Sequence, residues 1–140
     1  MARRGQTVEN PATGERITFL TTAADSGGEL LVMESVWTRP GHRAPEHVHP
    51  EMEERWEVRS GRAAFRVGGR ELEAGPGQTV VAPPGTPHLA WNPTEGEVRL
   101  RIEMRPALRW EEVTERLFAG ESPRELLRAF PRELALPPGA

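Results

Sequence analysis

Glycine and proline punctuate this chain so often that few uninterrupted segments are longer than about ten residues. There are 14 of each in 140 residues. Clusters such as NPATGE (10–15), DSGGE (25–29), RPGHRAP (39–45), EAGPGQ (73–78) and NPTEGE (92–97) read as turns. Between them lie short runs with the period of two that marks a strand. The clearest is 97–105, where Val98, Leu100, Ile102 and Met104 alternate with Arg99, Arg101, Glu103 and Arg105. In 54–60, Glu54, Trp56 and Val58 share one face, and Arg55, Glu57 and Arg59 the other. Further strands are expected at 17–23, 30–37, 63–67, 79–83 and 88–92. Strands of this number and spacing predict an all-β sandwich or barrel.

The period changes after Pro106. Trp110, Val113, Thr114, Leu117 and Phe118 fall on the i, i+3, i+4, i+7, i+8 stripe of a helix. Gly120 is its expected stop. Ser122-Pro-Arg-Glu125 reads as a capping box opening a second short helix to about Phe130. The expected organisation is an N-terminal arm (1–16), a β-barrel (17–105), helices packing on the barrel or on a partner subunit (106–132) and a frayed tail (133–140).

Composition narrows the chemistry. The net charge is −3, from 18 basic and 21 acidic residues, so nucleic acid is not an expected partner. No apolar run approaches the ~20 residues needed to span a bilayer. The start MARRGQTVEN lacks an apolar segment after its Arg pair, which points to the cytoplasm. There is no Cys, Lys or Tyr. Thiolate and lysine Schiff-base chemistry are therefore excluded, and any acid or base must be His, Asp, Glu or a metal-bound water.

Only four histidines occur: His42, His47, His49 and His88. On a strand, His47 and His49 project from one face and offer two imidazoles to one ion. By itself an H-x-H on a solvated strand is usually surface decoration. Glu54 shares the apolar face of Trp56 and Val58, where a lone carboxylate is costly unless paired or bound to a cation. Glu53 faces outward, so Glu54 is the better third ligand. The turn at 50–52 must then shift parity. His88 sits in the Pro/Gly-rich GQTVVAPPGTPHLAWN (77–92), and sequence alone does not bring it to the pair.

Gly41, His47, His49, Glu54 and Gly61, followed by Gly77, Pro83, Gly85, His88 and Asn92, resemble the two motifs of the cupins. The intermotif gap of 15 residues is short, as in small single-domain bacterial members. The resemblance implies a cupin-type jelly-roll β-barrel, here with one or two short C-terminal α-helices. It implies one divalent metal ion (Fe, Mn, Ni, Zn or Co) held by His47, His49, Glu54 and His88, with two positions open to water, substrate or dioxygen. Glu54 is also the candidate proton acceptor. Trp56, Phe65 and Met104 are expected inside the barrel, as core or as the lining of a substrate pocket. Asn92 is expected to hold a turn, and His42 to be a surface residue. The resemblance suggests a metalloenzyme of dioxygenase, isomerase or cyclase type acting on a small apolar or aromatic molecule. A non-catalytic ligand-binding module is the alternative, and a purely structural metal ranks last. A homodimer is expected.

Overall fold

The computed structural model describes residues 2–41 and 44–139. Among these residues nine strands form two antiparallel sheets. The larger sheet holds β1 (Thr7–Glu9), β2 (Arg16–Thr21), β3 (Leu31–Trp37), β4 (Glu53–Ser60), β7 (Thr79–Ala82) and β9 (Val98–Arg105), in the order β1-β2-β3-β9-β4-β7. The smaller holds β5 (Ala63–Val67), β6 (Arg70–Ala74) and β8 (His88–Trp91), in the order β6-β5-β8. The chain crosses between sheets after β4, β6, β7 and β8, which winds it as a jelly roll. An isolated bridge, His47 to His88, ties the segment before β4 to the smaller sheet.

Alternation explains the core. β9 runs between β3 and β4, in the middle of the larger sheet, and buries Val98, Leu100, Ile102 and Met104. β4 buries Glu54, Trp56 and Val58 and turns Arg55 and Arg59 outward. These side chains meet Phe65, Phe19 and Trp37 between the sheets. Each large apolar side chain so buried contributes about 1.5–3 kcal/mol. Gly61 ends β4 with φ +79°, where a Cβ would stand 2.6 Å from the carbonyl oxygen of Glu97. Gly61→Ala is therefore expected to destabilise the protein by at least ~1–3 kcal/mol from backbone strain. Urea unfolding will show this as a lower midpoint at unchanged slope, and an unchanged midpoint would refute it.

The helices are α1 (Ala23–Ser26), α2 (Trp110–Phe118) and α3 (Pro123–Ala129). Val113 of α2, Leu126 of α3 and Phe130 form a small core of their own, while Phe118 joins the barrel core. Gly120, at φ +97°, follows the end of α2 as expected. Four elements differ from expectation. β1 lies in the expected arm and pairs with β2. β6 lies in a stretch read partly as turn. The side chain of Ser122 makes no capping bond, whereas an unexpected capping box joins Thr22 and Asp25 at α1. The tail is also not frayed from residue 133. Glu133 is buried, and Ala135 exchanges two 2.9 Å backbone hydrogen bonds with Val48.

Candidate metal centre

His47 and His49 lie on the extended segment leading into β4, with Val48 between them paired to Ala135. A turn at 50–52 then shifts the side-chain parity, so that Glu54 enters the barrel on the same face as Trp56. His88 opens β8 directly after the Pro83–Pro87 loop. Gly85 in that loop has φ +78° and donates its N–H to the carbonyl of His49 at 2.9 Å, which locks the loop to the first pair. Together these elements place single donor atoms of His47, His49, Glu54 and His88 all within 4.8 Å of one another. His49, Glu54 and His88 are buried and His47 is half-buried, which makes His47 the ligand nearest solvent.

The hydrogen bonds fix which nitrogens face inward. Nδ1 of His47 meets the Pro45 carbonyl, that of His49 the Glu133 carbonyl and that of His88 the Thr86 carbonyl, each at 2.8 Å. A carbonyl only accepts, so each Nδ1 carries the hydrogen. A neutral ring then presents its Nε2 lone pair to the cluster. Glu54 Oε1 stands 3.0 Å from Nε2 of His49 and 3.2 Å from Nε2 of His88. Lone pairs facing a carboxylate this closely require a shared cation, either a proton or a metal ion. Histidine ligands oriented through the second nitrogen are the usual mark of a metal site.

Burial works against the Glu54 carboxylate. The hydrogen bonds and charge of His49 and His88 outweigh it and hold the carboxyl below the usual range. Burial pushes His47 down to about 4, with further lowering by the rings of His49 and His88. Burial also opposes charge on His88, but the hydrogen bond and charge of Glu54 prevail and raise it above its ordinary value.

Trp56, Phe65 and Met104 are packed into the core, at 3%, 0% and 0% exposure. Trp56 lies edge-on to His88 and against Phe65, with ring centroids 5.4 and 5.1 Å apart. Met104 is the register partner of Glu54. These three therefore form a filled floor under the cluster. Asn92 holds a turn: its Nδ2 donates to the Gly96 carbonyl and its Oδ1 accepts from Thr94. Its own carbonyl receives the N–H of Gly41, joining the first and last motif positions. His42 lies outside the described residues. Two contacts had no sequence signal as site residues: Trp110, whose ring meets His49 edge-on at 4.5 Å, and Glu133, whose carbonyl orients that histidine.

A two-sheet jelly roll with three imidazoles and one carboxylate converging inside it defines a class of small barrels suited to holding a metal ion. The cupin-domain family model matches residues 37–104, from β3 to β9, and the barrel has the cupin jelly-roll fold. Solved structures agree on the fold. KdgF from Halomonas sp. superposes with a TM-score of 0.62 at 18% identity, over 72% of this chain and 86% of that one. A predicted oxalate decarboxylase from Thermotoga maritima gives 0.64 at 15%, over 76% and 99%. A structure of oxalate oxidase gives 0.60 at 18%, over 76% and 59%. Comparison with curated protein sequences gives no match. Among the described residues no helix is long and apolar enough to cross a membrane.

Proposed function

We propose that this cupin is a mononuclear metalloenzyme in which His47, His49, Glu54 and His88 hold one divalent ion that binds and activates a small molecule. The observation that carries the reading is the set of three Nδ1–H donations to carbonyls, which leaves three Nε2 atoms and a buried carboxylate converging on one point. Imidazole and carboxylate donors suit Fe, Mn, Ni, Zn or Co. When bound, the ion supplies Lewis acidity at its open positions, or dioxygen binding if it is iron. Around it the chain offers apolar walls, Trp56 and Trp110, and among the described ligands His47 is the one nearest solvent. That suits a compact substrate with an oxygen donor for the ion and an apolar or aromatic body. Glu54 is the one carboxylate in the cluster and the group placed to take up a proton. Two of the similar structures are a predicted oxalate decarboxylase and an oxalate oxidase, which supports oxygen donors on the substrate as the feature to screen first.

Metal content of untagged protein, followed by dioxygen uptake with candidate substrates, tests this reading. About one equivalent of a transition metal and substrate-dependent turnover are expected. Tight ligand binding without conversion would replace the enzyme by a non-catalytic ligand-binding module, a reading favoured by the filled interior around Phe65 and Met104. We further take the protein to work in the cytoplasm as a homodimer. Support comes from the outer face of the larger sheet, where Glu53, Glu57 and Glu103 alternate with Arg55, Arg101 and Arg105 around a groove. A face with equal numbers of both charges can match a second copy of itself across a two-fold axis.

A further inference from the structure

The three histidines are not oriented by equivalent partners. His47 and His88 donate to carbonyls two residues earlier in their own segments, at Pro45 and Thr86. The acceptor for His49 comes from Glu133, 84 residues away. Glu133 is itself 4% exposed, and its carboxylate accepts the backbone N–H of Arg109 at 3.1 Å. Arg109 immediately precedes α2, whose first residue is Trp110, and the Trp110 ring packs edge-on against His49. Two residues beyond Glu133, Ala135 pairs with Val48, the residue between the two motif histidines. One short segment thus holds His49 from three sides: at Nδ1, against its ring through Trp110, and along the adjoining backbone.

We propose that residues 133–135 form a strap that positions His49 for the metal, with Glu133 as its positioning residue, so that metal occupancy and docking of the strap are coupled. The inference rests on the metal-centre reading and adds to it a control element outside the two motifs. Without the Glu133 carbonyl, the hydrogen of His49 has no fixed acceptor. The ring is then free to rotate or to exchange tautomers, and the ion must offset that ordering cost when it binds. His47 and His88 keep their local acceptors. The effect therefore falls on one ligand out of four. Coupling of this kind is reciprocal: the ion must protect the strap by the same factor that the strap strengthens binding of the ion.

Cobalt(II) is the probe, because its visible absorption reports ligand geometry. Glu133→Ala removes the carboxylate clamp on α2. Ala135→Pro removes the N–H given to Val48 and leaves every site side chain in place. Glu133→Gln keeps an oxygen to accept from Arg109. The alanine and proline variants are expected to bind cobalt(II) about 10- to 100-fold more weakly, with an altered visible spectrum, while the glutamine variant stays near wild type. In wild-type protein, cobalt(II) is expected to slow hydrogen exchange at the Val48 and Ala135 amides. Folded alanine and proline variants with wild-type affinity and spectrum would overturn the strap while leaving the metal centre standing. If neither variant folds, exchange in the wild type decides, and unchanged protection at Val48 and Ala135 would overturn the proposal. Wild-type protein that binds no cobalt(II) would overturn the metal centre and the strap together.

Discussion

His88→Ala is expected to abolish stoichiometric metal. His88 is 1% exposed, and its Nε2 is 3.2 Å from Glu54 Oε1. Its ring is packed between His47 and Trp56. Loss of an outer partner of a metal ligand alone costs about 10- to 100-fold in affinity, so loss of the ligand itself should exceed about 100-fold. Glu54→Gln should approach the same loss by a different route. It keeps the size and one oxygen but removes the negative charge that offsets the cation. Its smaller change in shape makes it the better control for folding. Metal analysis and competition with a chelator measure both variants. About one equivalent retained by His88→Ala would mean that the ion lies elsewhere in the protein.

Two physical signals made His47, His49 and Glu54 legible in the sequence, whereas His88 joined them only through the resemblance to the cupin motifs. The first was spacing, with His47 and His49 on one face. The second was parity, which put Glu54 rather than Glu53 on the buried side of β4, where the structure has it at 8% exposure. Local periodicity reports only which face a residue takes, so it could not reach His49's outer partners. Trp110 and Glu133 arrive from 61 and 84 residues further along the chain, and the helix stripe alone accounts for Trp110 in the sequence. The same limit applies to Trp56, Phe65 and Met104. Their inward direction was legible, but whether they line a void or fill one depends on how the two sheets close.

The fold shows the same division. β9 was legible because a strand with one buried and one wetted face must alternate. β6 was not, because Arg70, Glu71, Leu72 and Glu73 are all exposed at the edge of the smaller sheet. A strand without a buried face leaves no period to read. α1 was hidden for another reason. It has four residues and no buried side chain, and its Thr22–Asp25 capping box is its main support. At Ser122 the opposite occurred: the sequence pattern of a box is present, but a proline at the first helical position suffices to start α3 without its side-chain bonds.

Acidification should weaken metal binding by at least about tenfold per pH unit below the raised pKa of His88, because the ion must displace its proton. The sign follows from the groups around the ring. Glu54 and, more weakly, Glu46 favour the proton on His88, and burial alone opposes it. Glu54 stays ionised because its carboxyl is held below the usual range, so it contributes no proton to the competition. His47, pushed down to about 4, is also neutral and ready as a ligand through most of this window. The apparent affinity should therefore keep falling as the pH drops below the His88 value. The ion-free protein should respond differently. Glu54 stabilises it above the unfolded value of 4.5, and that contribution fades as pH falls toward the lowered folded value. His88 stabilises it below the unfolded value of 6.5, and that contribution fades as pH rises through the raised folded value. The Glu54–His88 pair therefore supports the ion-free fold most strongly between about 4.5 and 6.5. Calorimetric titration with manganese or cobalt in buffers of different ionisation heat counts the protons released. Release of protons at pH 6, up to one per ion, is expected, falling as pH rises past the His88 value. Affinity independent of pH from 5 to 7 would falsify the protonated His88–Glu54 pair as the ion-free state of the centre.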